Sequence, residues 1–186
     1  MALRNILKSG DPSLIKKSRV VTNFNKRLHI LLDDMRETLL DANGLGIAAP
    51  QVGVLRRVAL VVDVKIDPED ADEKIIELIN PKIISESGEQ TGNEGCLSIP
   101  GLFGIITRPE TVRIKAQDRY GKSFELSFSQ LSARAVCHEI NHLDGIILTS
   151  LTDELLTAED LEKLMAEEKE KRIAEEQEKQ MAEEQV

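Results

Sequence analysis

His138-Glu139-Ile140-Asn141-His142 decides the reading of this chain. Two histidines four residues apart on a helix share one face, with their Cβ atoms about 5–6 Å apart, so both imidazoles can reach one metal ion. The glutamate after the first histidine stands where it can handle the proton of a metal-bound water. This is the H-E-x-x-H pattern of metal-dependent hydrolases. Five-residue motifs also arise by chance on amphipathic helices. The plain alternative is a hydrogen-bonded histidine pair beside a solvated Glu139. A third ligand has to be found elsewhere.

Cys96, in Asn93-Glu94-Gly95-Cys96-Leu97-Ser98, is the candidate. A thiolate binds borderline metals strongly. With His138 and His142 it makes a set of three protein ligands that leaves a fourth position for water, as catalytic sites do. A buried, inert cysteine is the commoner fate of such a residue. Gly44-Leu45-Gly46-Ile47-Ala48-Ala49-Pro50-Gln51 is the other distinctive segment. Its glycines let backbone approach a ligand closely, and Gln51 offers an amide donor. The Gly-Lys-Ser/Thr ending of a phosphate loop is missing.

The surroundings read as α+β. Residues 26–42 form an amphipathic helix on the spacing of Leu28, Leu31, Leu32, Met35 and Leu39, stopped at Asn43-Gly44. His29 on that helix has no partner at ligand spacing and reads as a surface residue. Strands are expected at 58–62, 75–79, 82–84, 111–116 and 123–128. Asn80-Pro81 breaks the second from the third, residues 65–74 form a loop, and Tyr120-Gly121 a turn. Ser129 is placed to cap a helix that starts near Gln130 and ends at Asp144-Gly145. The expected architecture is small mixed or antiparallel sheets around a central metal-binding helix, with a C-terminal helical extension.

Composition narrows the function. The 186 residues are 41% hydrophobic but only 3% aromatic, so base stacking on aromatic rings is largely unavailable. The net charge of −9 is concentrated in the tail: residues 153–186 hold 13 acids and 5 bases. An acidic tail disfavours binding to a phosphate backbone. It is rich in Glu, Lys, Gln and Ala, with i,i+4 pairs such as Glu159–Lys163, Glu167–Lys171, Glu168–Arg172 and Glu175–Lys179, and reads as a solvated helix. Leu155, Leu156, Leu161, Leu164 and Met165 are its expected anchors. The division is therefore 1–152, a catalytic metallohydrolase domain, and 153–186, an acidic charged helix. Two distant cysteines, no signal-peptide pattern and no membrane-length apolar run make the cytoplasm the expected location.

Taken in order, the three segments resemble peptide deformylase, which carries G-x-G-x-A-A-x-Q, E-G-C-x-S and H-E-x-x-H. Here they stand as Gly44–Gln51, Glu94–Ser98 and His138–His142. Gly10-Asp11-Pro12 with Leu14 and Lys17, Ser98-Ile99-Pro100, and His142-Leu143-Asp144-Gly145 extend the likeness over roughly residues 4–150. The resemblance implies hydrolysis of the N-formyl group of formylmethionine on nascent polypeptides. It implies Cys96, His138 and His142 as metal ligands, Glu139 as general base and then general acid, and Gln51 with the backbone N–H of Leu97 as oxyanion donors. Backbone at Leu45, Gly46 and Gly95 would hold an extended substrate, and Leu131, Arg134 and Ala135 would line the methionine pocket. The metal implied is Fe(II), with Zn(II) as the alternative. The partners implied are N-formylmethionyl nascent peptides and a transient ribosome contact, with no direct nucleic-acid binding, no membrane and a monomeric state.

Two positions depart from the family pattern. Cys137 replaces the usual Gln before the motif, and Asn141 replaces the usual Asp before its second histidine. They lie i,i+4 on one face and are expected to have changed together, with Cys137 packing away from the metal. The competing readings are another metal-dependent amide hydrolase, a deacetylase or peptidase, and a catalytically silent interaction protein.

Overall fold

The computed structural model describes residues 2–64, 74–167 and 169. The strand run Val58-Ala-Leu-Val-Val-Asp63 (β2) organises the molecule. Its apolar residues are continuous because both faces of a strand are covered when helices pack on each side. Val58, Leu60 and Val62 face the first helix, α1 (Lys26–Asp41), with its Leu28, Leu31, Leu32, Met35 and Leu39. Ala59 and Val61 face the opposite core, with Ala133, Val136, Ile140 and Leu143 of α2 (Gln130–Leu143). The alternation follows from successive side chains pointing to opposite faces of a strand.

β2 is second in a five-stranded antiparallel sheet. Its other strands are β1 (Gly46–Ala48), β3 (Lys74–Ser87), β6 (Thr111–Gln117) and β7 (Ser123–Ser129), in the order β1-β2-β3-β6-β7. A second sheet has the order β4-β5-β8, from β4 (Gln90–Cys96), β5 (Ile99–Arg108) and β8 (Leu155–Thr157). The α+β architecture around a central motif helix is thus as the sequence implied.

Several local expectations change. Residues 75–79 and 82–84 belong to one strand, β3, with its register shifted at Asn80-Pro81. The strand survives the proline because Asn80, at φ 52°, supplies bonds from its side chain. Its Oδ1 accepts from the Val21 N–H at 2.8 Å, and its Nδ2 donates to the Val21 carbonyl at 2.9 Å and to Gln117 at 2.8 Å. Ser129 makes no side-chain cap on α2. The helix entry is held instead by Gln130 N–H to the Glu110 carbonyl at 2.7 Å and by Gln90 Nε2 to the Gln130 carbonyl at 2.7 Å. His29 is partly buried and not a free surface residue, its Nε2 lying 2.8 Å from the Arg119 carbonyl.

The start of the tail also differs. Leu155 and Leu156 are strand residues paired with Gly104 and Phe103, so the chain stays in the second sheet through Thr157. A helix follows over residues 158–167, closed at its start by a reciprocal pair. Thr157 Oγ1 accepts from the Asp160 N–H at 3.2 Å, and Asp160 Oδ2 accepts from the Thr157 N–H at 3.1 Å. Leu161 is buried, while Leu164 and Met165 are exposed and do not anchor. Of the expected i,i+4 pairs, Glu159–Lys163 forms at 2.8 Å, and the others reach beyond the described residues. Among the described residues no helix is long and apolar enough to cross a membrane.

Candidate metal centre and substrate pocket

α2 presents His138 and His142 from one face, with ring centroids 4.9 Å apart. The β4–β5 hairpin brings Cys96 to the same point. Its turn residues are Leu97 and Ser98, and a register shift between Gly95 and Cys96 turns the thiol inward. One donor atom from each of Cys96, His138 and His142 falls within 4.8 Å of the others. Cys96 Sγ lies 3.2 Å from His142 Nε2. A sulfur and two imidazole nitrogens converging in a buried place suit a borderline divalent metal, and three protein ligands leave a position open.

One side of this cluster is a closed charge network. Glu94 is buried on β4. Its Oε1 accepts from Arg108 Nε at 2.8 Å and Arg134 Nη1 at 3.0 Å, and its Oε2 faces Arg108 Nη2 at 2.9 Å and His138 Nδ1 at 3.0 Å. Burial alone would raise its pKa, but the hydrogen bonds from Arg108 and His138 outweigh it and hold the carboxyl at about 2. With His138 Nδ1 occupied by Glu94, Nε2 is left for a metal, the usual way a carboxylate fixes a ligand's tautomer. Arg108 continues to Asn141, with Nη1 2.5 Å from Oδ1. The family-variant Asn141 therefore supports the arginine behind His138, and Cys137 packs in the core with Val136 and Ile140.

The other side is sparse. Glu139 is 3% exposed, and its Oε2 has no hydrogen-bond partner among the described residues. Burial pushes its carboxyl up to about 7, partly offset by the nearby His138 charge. A Cβ at Gly46 would fall 2.5 Å from Glu139 Oε1, so this carboxylate lies against bare β1 backbone. Gln51 is fully buried in the 3₁₀ turn Ala49–Val52. Its Oε1 accepts from the Ala48 N–H at 2.8 Å, while Nε2 points at Ser98 Oγ, 3.2 Å, and Cys96 Sγ, 3.7 Å.

The histidines are unequal. Burial and then the His138 charge lower His142 to about 3, keeping it neutral as a ligand must be. Burial would also lower His138, but hydrogen bonds with Cys96 and Glu94 win and raise it to about 10. The groups that draw a proton onto His138 are the groups that attract a metal cation in its place.

A cavity of about 390 Å3 opens beside this cluster. It is lined by the expected Leu45, Gly46, Gln51, Gly95, Cys96, Leu97, Leu131, Arg134, Ala135, His138 and Glu139. Its flanking strands β1 and β4 are both sheet edges, so unpaired backbone faces it from two sides. The Leu45 carbonyl already accepts from the Val62 N–H at 2.8 Å. Arg134 lines the wall, but its guanidinium is tied to Glu94 and to the carbonyls of Gln90, Gly92 and Ile106. Ile99, Leu102 and Phe103 complete the apolar wall. They come from β5, where Pro100, Gly101 and Gly104 interrupt the alternation that would mark a strand in the sequence. Glu94 was visible only as part of the Cys96 motif.

A Cys/His/His cluster with a buried glutamate beside an apolar cleft, on an α+β frame, defines a metal-dependent hydrolase. The chain belongs to the peptide deformylase family: the family model described as polypeptide deformylase matches residues 3–157. The peptide deformylase of Lachnoclostridium phytofermentans is 54% identical over 147 residues, 79% of this chain and 87% of that protein. That of Alkaliphilus metalliredigens is 50% identical over 149 residues, 80% of this chain and 96% of that one. A crystal structure of the Legionella pneumophila peptide deformylase superposes with a TM-score of 0.75 at 36% identity, covering 95% of this chain and 98% of that one. A class I type b enzyme from Acinetobacter baumannii, bound to Met-Ala-Ser, gives 0.74 at 34% identity, covering 81% and 99%. The protein is an enzyme of this family and removes the N-formyl group from nascent peptides.

Proposed function

We propose that Glu139 moves the proton in this deformylation, within a site whose metal is held by Cys96, His138 and His142. Fe(II) is the proposed ion and Zn(II) the alternative, since thiolate with imidazole serves both. When bound, the ion would polarise the formyl oxygen and lower the pKa of water to about 7. The observation that carries the reading is the placement of Glu139: buried beside His138, unpaired at Oε2, and against bare backbone at Gly46. A carboxyl poised there can take a proton from the attacking water and return it to the amine as the C–N bond breaks and formate leaves.

Gln51 Nε2 and the Leu97 N–H are the proposed donors to the oxyanion. Both belong to segments that meet at Cys96, the first through its side chain and the second through the hairpin turn. One such donor is typically worth about 2.7–4 kcal/mol in the transition state. Gly46 on β1 and Gly95 on β4 would pair with an extended substrate, and the apolar wall from Leu131 to Phe103 would take the methionine side chain. The Met-Ala-Ser bound to the Acinetobacter relative supports a peptide lying in this cleft.

The protein is proposed to act as a cytoplasmic monomer, with residues 158–186 as an acidic tail. A ribosome contact through that acidic tail would need basic ribosomal protein surface. Cosedimentation with ribosomes that is unchanged on deleting residues 158–186 would rule the contact out. The central test is formate release from formyl-Met-Ala-Ser by anaerobically prepared enzyme and its Glu139→Gln variant at equal metal content. Parental release that falls about 10²–10⁴-fold in the variant supports the assignment; equal rates refute it.

A further inference from the structure

Residues 7–18 touch every segment that carries the site, yet contribute no wall of the cavity. The Leu7 N–H donates to the Gln51 carbonyl at 2.7 Å, and the Ser9 N–H to the Ser98 carbonyl at 2.9 Å. Between them, Lys8 Nζ donates to the Leu97 carbonyl at 2.9 Å. The chain then reverses at Gly10, φ 100°, and at Asp11, whose Oδ1 accepts from the Ser13 N–H at 2.8 Å. It buries Leu14 and ends under α2, where the Ser18 N–H reaches the Leu143 carbonyl at 2.8 Å. The fit there is close: a Cβ on Gly145, the glycine that ends the motif helix, would fall 2.7 Å from the Ile15 carbonyl oxygen. One continuous segment therefore joins the Gln51 turn, the Cys96–Ser98 hairpin and the end of the histidine helix.

The geometry points to Lys8 as a positioning residue for the oxyanion donors. Leu97 sits in a two-residue hairpin turn, where its peptide carbonyl would otherwise face solvent and be free to tilt. The Lys8 ammonium holds that carbonyl from outside the cavity. The backbone bonds at Leu7 and Ser9 fix the distance from the Gln51 segment. The Leu97 N–H belongs to the neighbouring Cys96–Leu97 peptide; because Cys96 and Ile99 are paired across the turn, the peptides between them can rotate only together, so holding the Leu97 carbonyl also restrains that N–H. Preorganised donors of this kind act on the transition state more than on the bound substrate. The inference rests on the assignment of Gln51 and the Leu97 N–H as oxyanion donors.

The test compares kcat and KM for formyl-Met-Ala-Ser in metal-loaded parent, Lys8→Met, Lys8→Arg and Gln51→Ala enzymes, with Leu97 amide hydrogen exchange as a second readout. Lys8→Met should lower kcat about tenfold, a fraction of the effect of losing a whole donor. KM, metal content and melting temperature should stay at parental values, Leu97 exchange should quicken, and Lys8→Arg should restore both kcat and protection. Parental kcat in Lys8→Met overturns the inference. So does a rise in KM alone, which would make Lys8 a substrate contact, or a loss of metal or stability, which would make it structural. If Gln51→Ala keeps parental kcat, the oxyanion assignment itself falls. If Gln51→Ala is impaired and Lys8→Met is not, only the role of Lys8 fails.

Discussion

The two sides of the metal cluster each bury a glutamate, and the two are treated in opposite ways. Glu94 has Arg108, Arg134 and His138 around it and is held ionised at about 2. Glu139 faces bare backbone at Gly46, has an unpaired oxygen and sits near 7. A buried carboxylate costs several kcal/mol unless it is paired. The first side avoids that cost and holds His138 from behind. The second leaves a buried, unpaired carboxyl with its pKa raised, as the role proposed for Glu139 requires. Similar burial leaves a carboxyl held ionised or pushed towards its neutral form, according to what surrounds it.

The largest break in this contrast should come from Glu139→Gln. Turnover should drop about 10²–10⁴-fold, while thermal melting holds or rises, because the orphaned acid is removed. A melt that falls along with turnover would mean that Glu139 is also structural. Glu94→Gln should invert the pattern. It leaves two buried guanidiniums underpaired, so stability should decrease by about 3–5 kcal/mol in denaturant titration. Metal affinity, followed by competition with a chelator, should weaken about 10–100-fold through His138. A stable, tightly metallated Glu94→Gln protein would show that the network is dispensable.

Gly46→Ala sharpens the sparse side. The added carbon would have to displace Glu139 from contact at 2.5 Å. A shift of about 1 Å at a reacting group can cost about 10²-fold in kcat. Parental kinetics would place Glu139 elsewhere during turnover. The smallest effect is expected from Asn141→Asp, which gives Arg108 a second carboxylate. Stability should move by less than about 1 kcal/mol, because Asn141 already bonds that arginine and is itself partly exposed. A large gain in melting temperature or metal affinity would show that Asn141 is a real deficit of this chain.

The legible parts were local. Helix α1 followed from its leucine spacing and ended at Asp41, one residue early. β2 was evident as an apolar run, and α2 as a helix from Gln130 ending before Asp144-Gly145. Asn80-Pro81 reads as a break between two strands, but the Asn80 N–H bond to the Arg57 carbonyl and its side-chain bonds to Val21 and Gln117 carry β3 across it. The long β4–β5 hairpin went unresolved. Its residues Gln90–Arg108 mix glycine, polar and apolar positions without clean alternation, because one face turns into the cavity. The start of the tail was read by composition as helix, and pairing with β5 made Leu155–Thr157 a strand.

What the sequence determined by itself was chemistry of short range. The i,i+4 spacing of His138 and His142 fixes their common face wherever the helix lies, and three ordered motifs pointed to the family and the reaction. Tertiary structure decided what each group is in its surroundings. Glu94 became a buried hub only when strands β4 and β5 met α2, and Arg134 was drawn from the pocket wall into that hub. Glu139 became a buried, unpaired carboxyl only when β1 closed over it without a side chain at Gly46. Spacing along a helix is set by covalent geometry and local hydrogen bonds. Burial and charge pairing depend on segments distant in sequence, and these set whether a carboxylate holds its charge or gives it up.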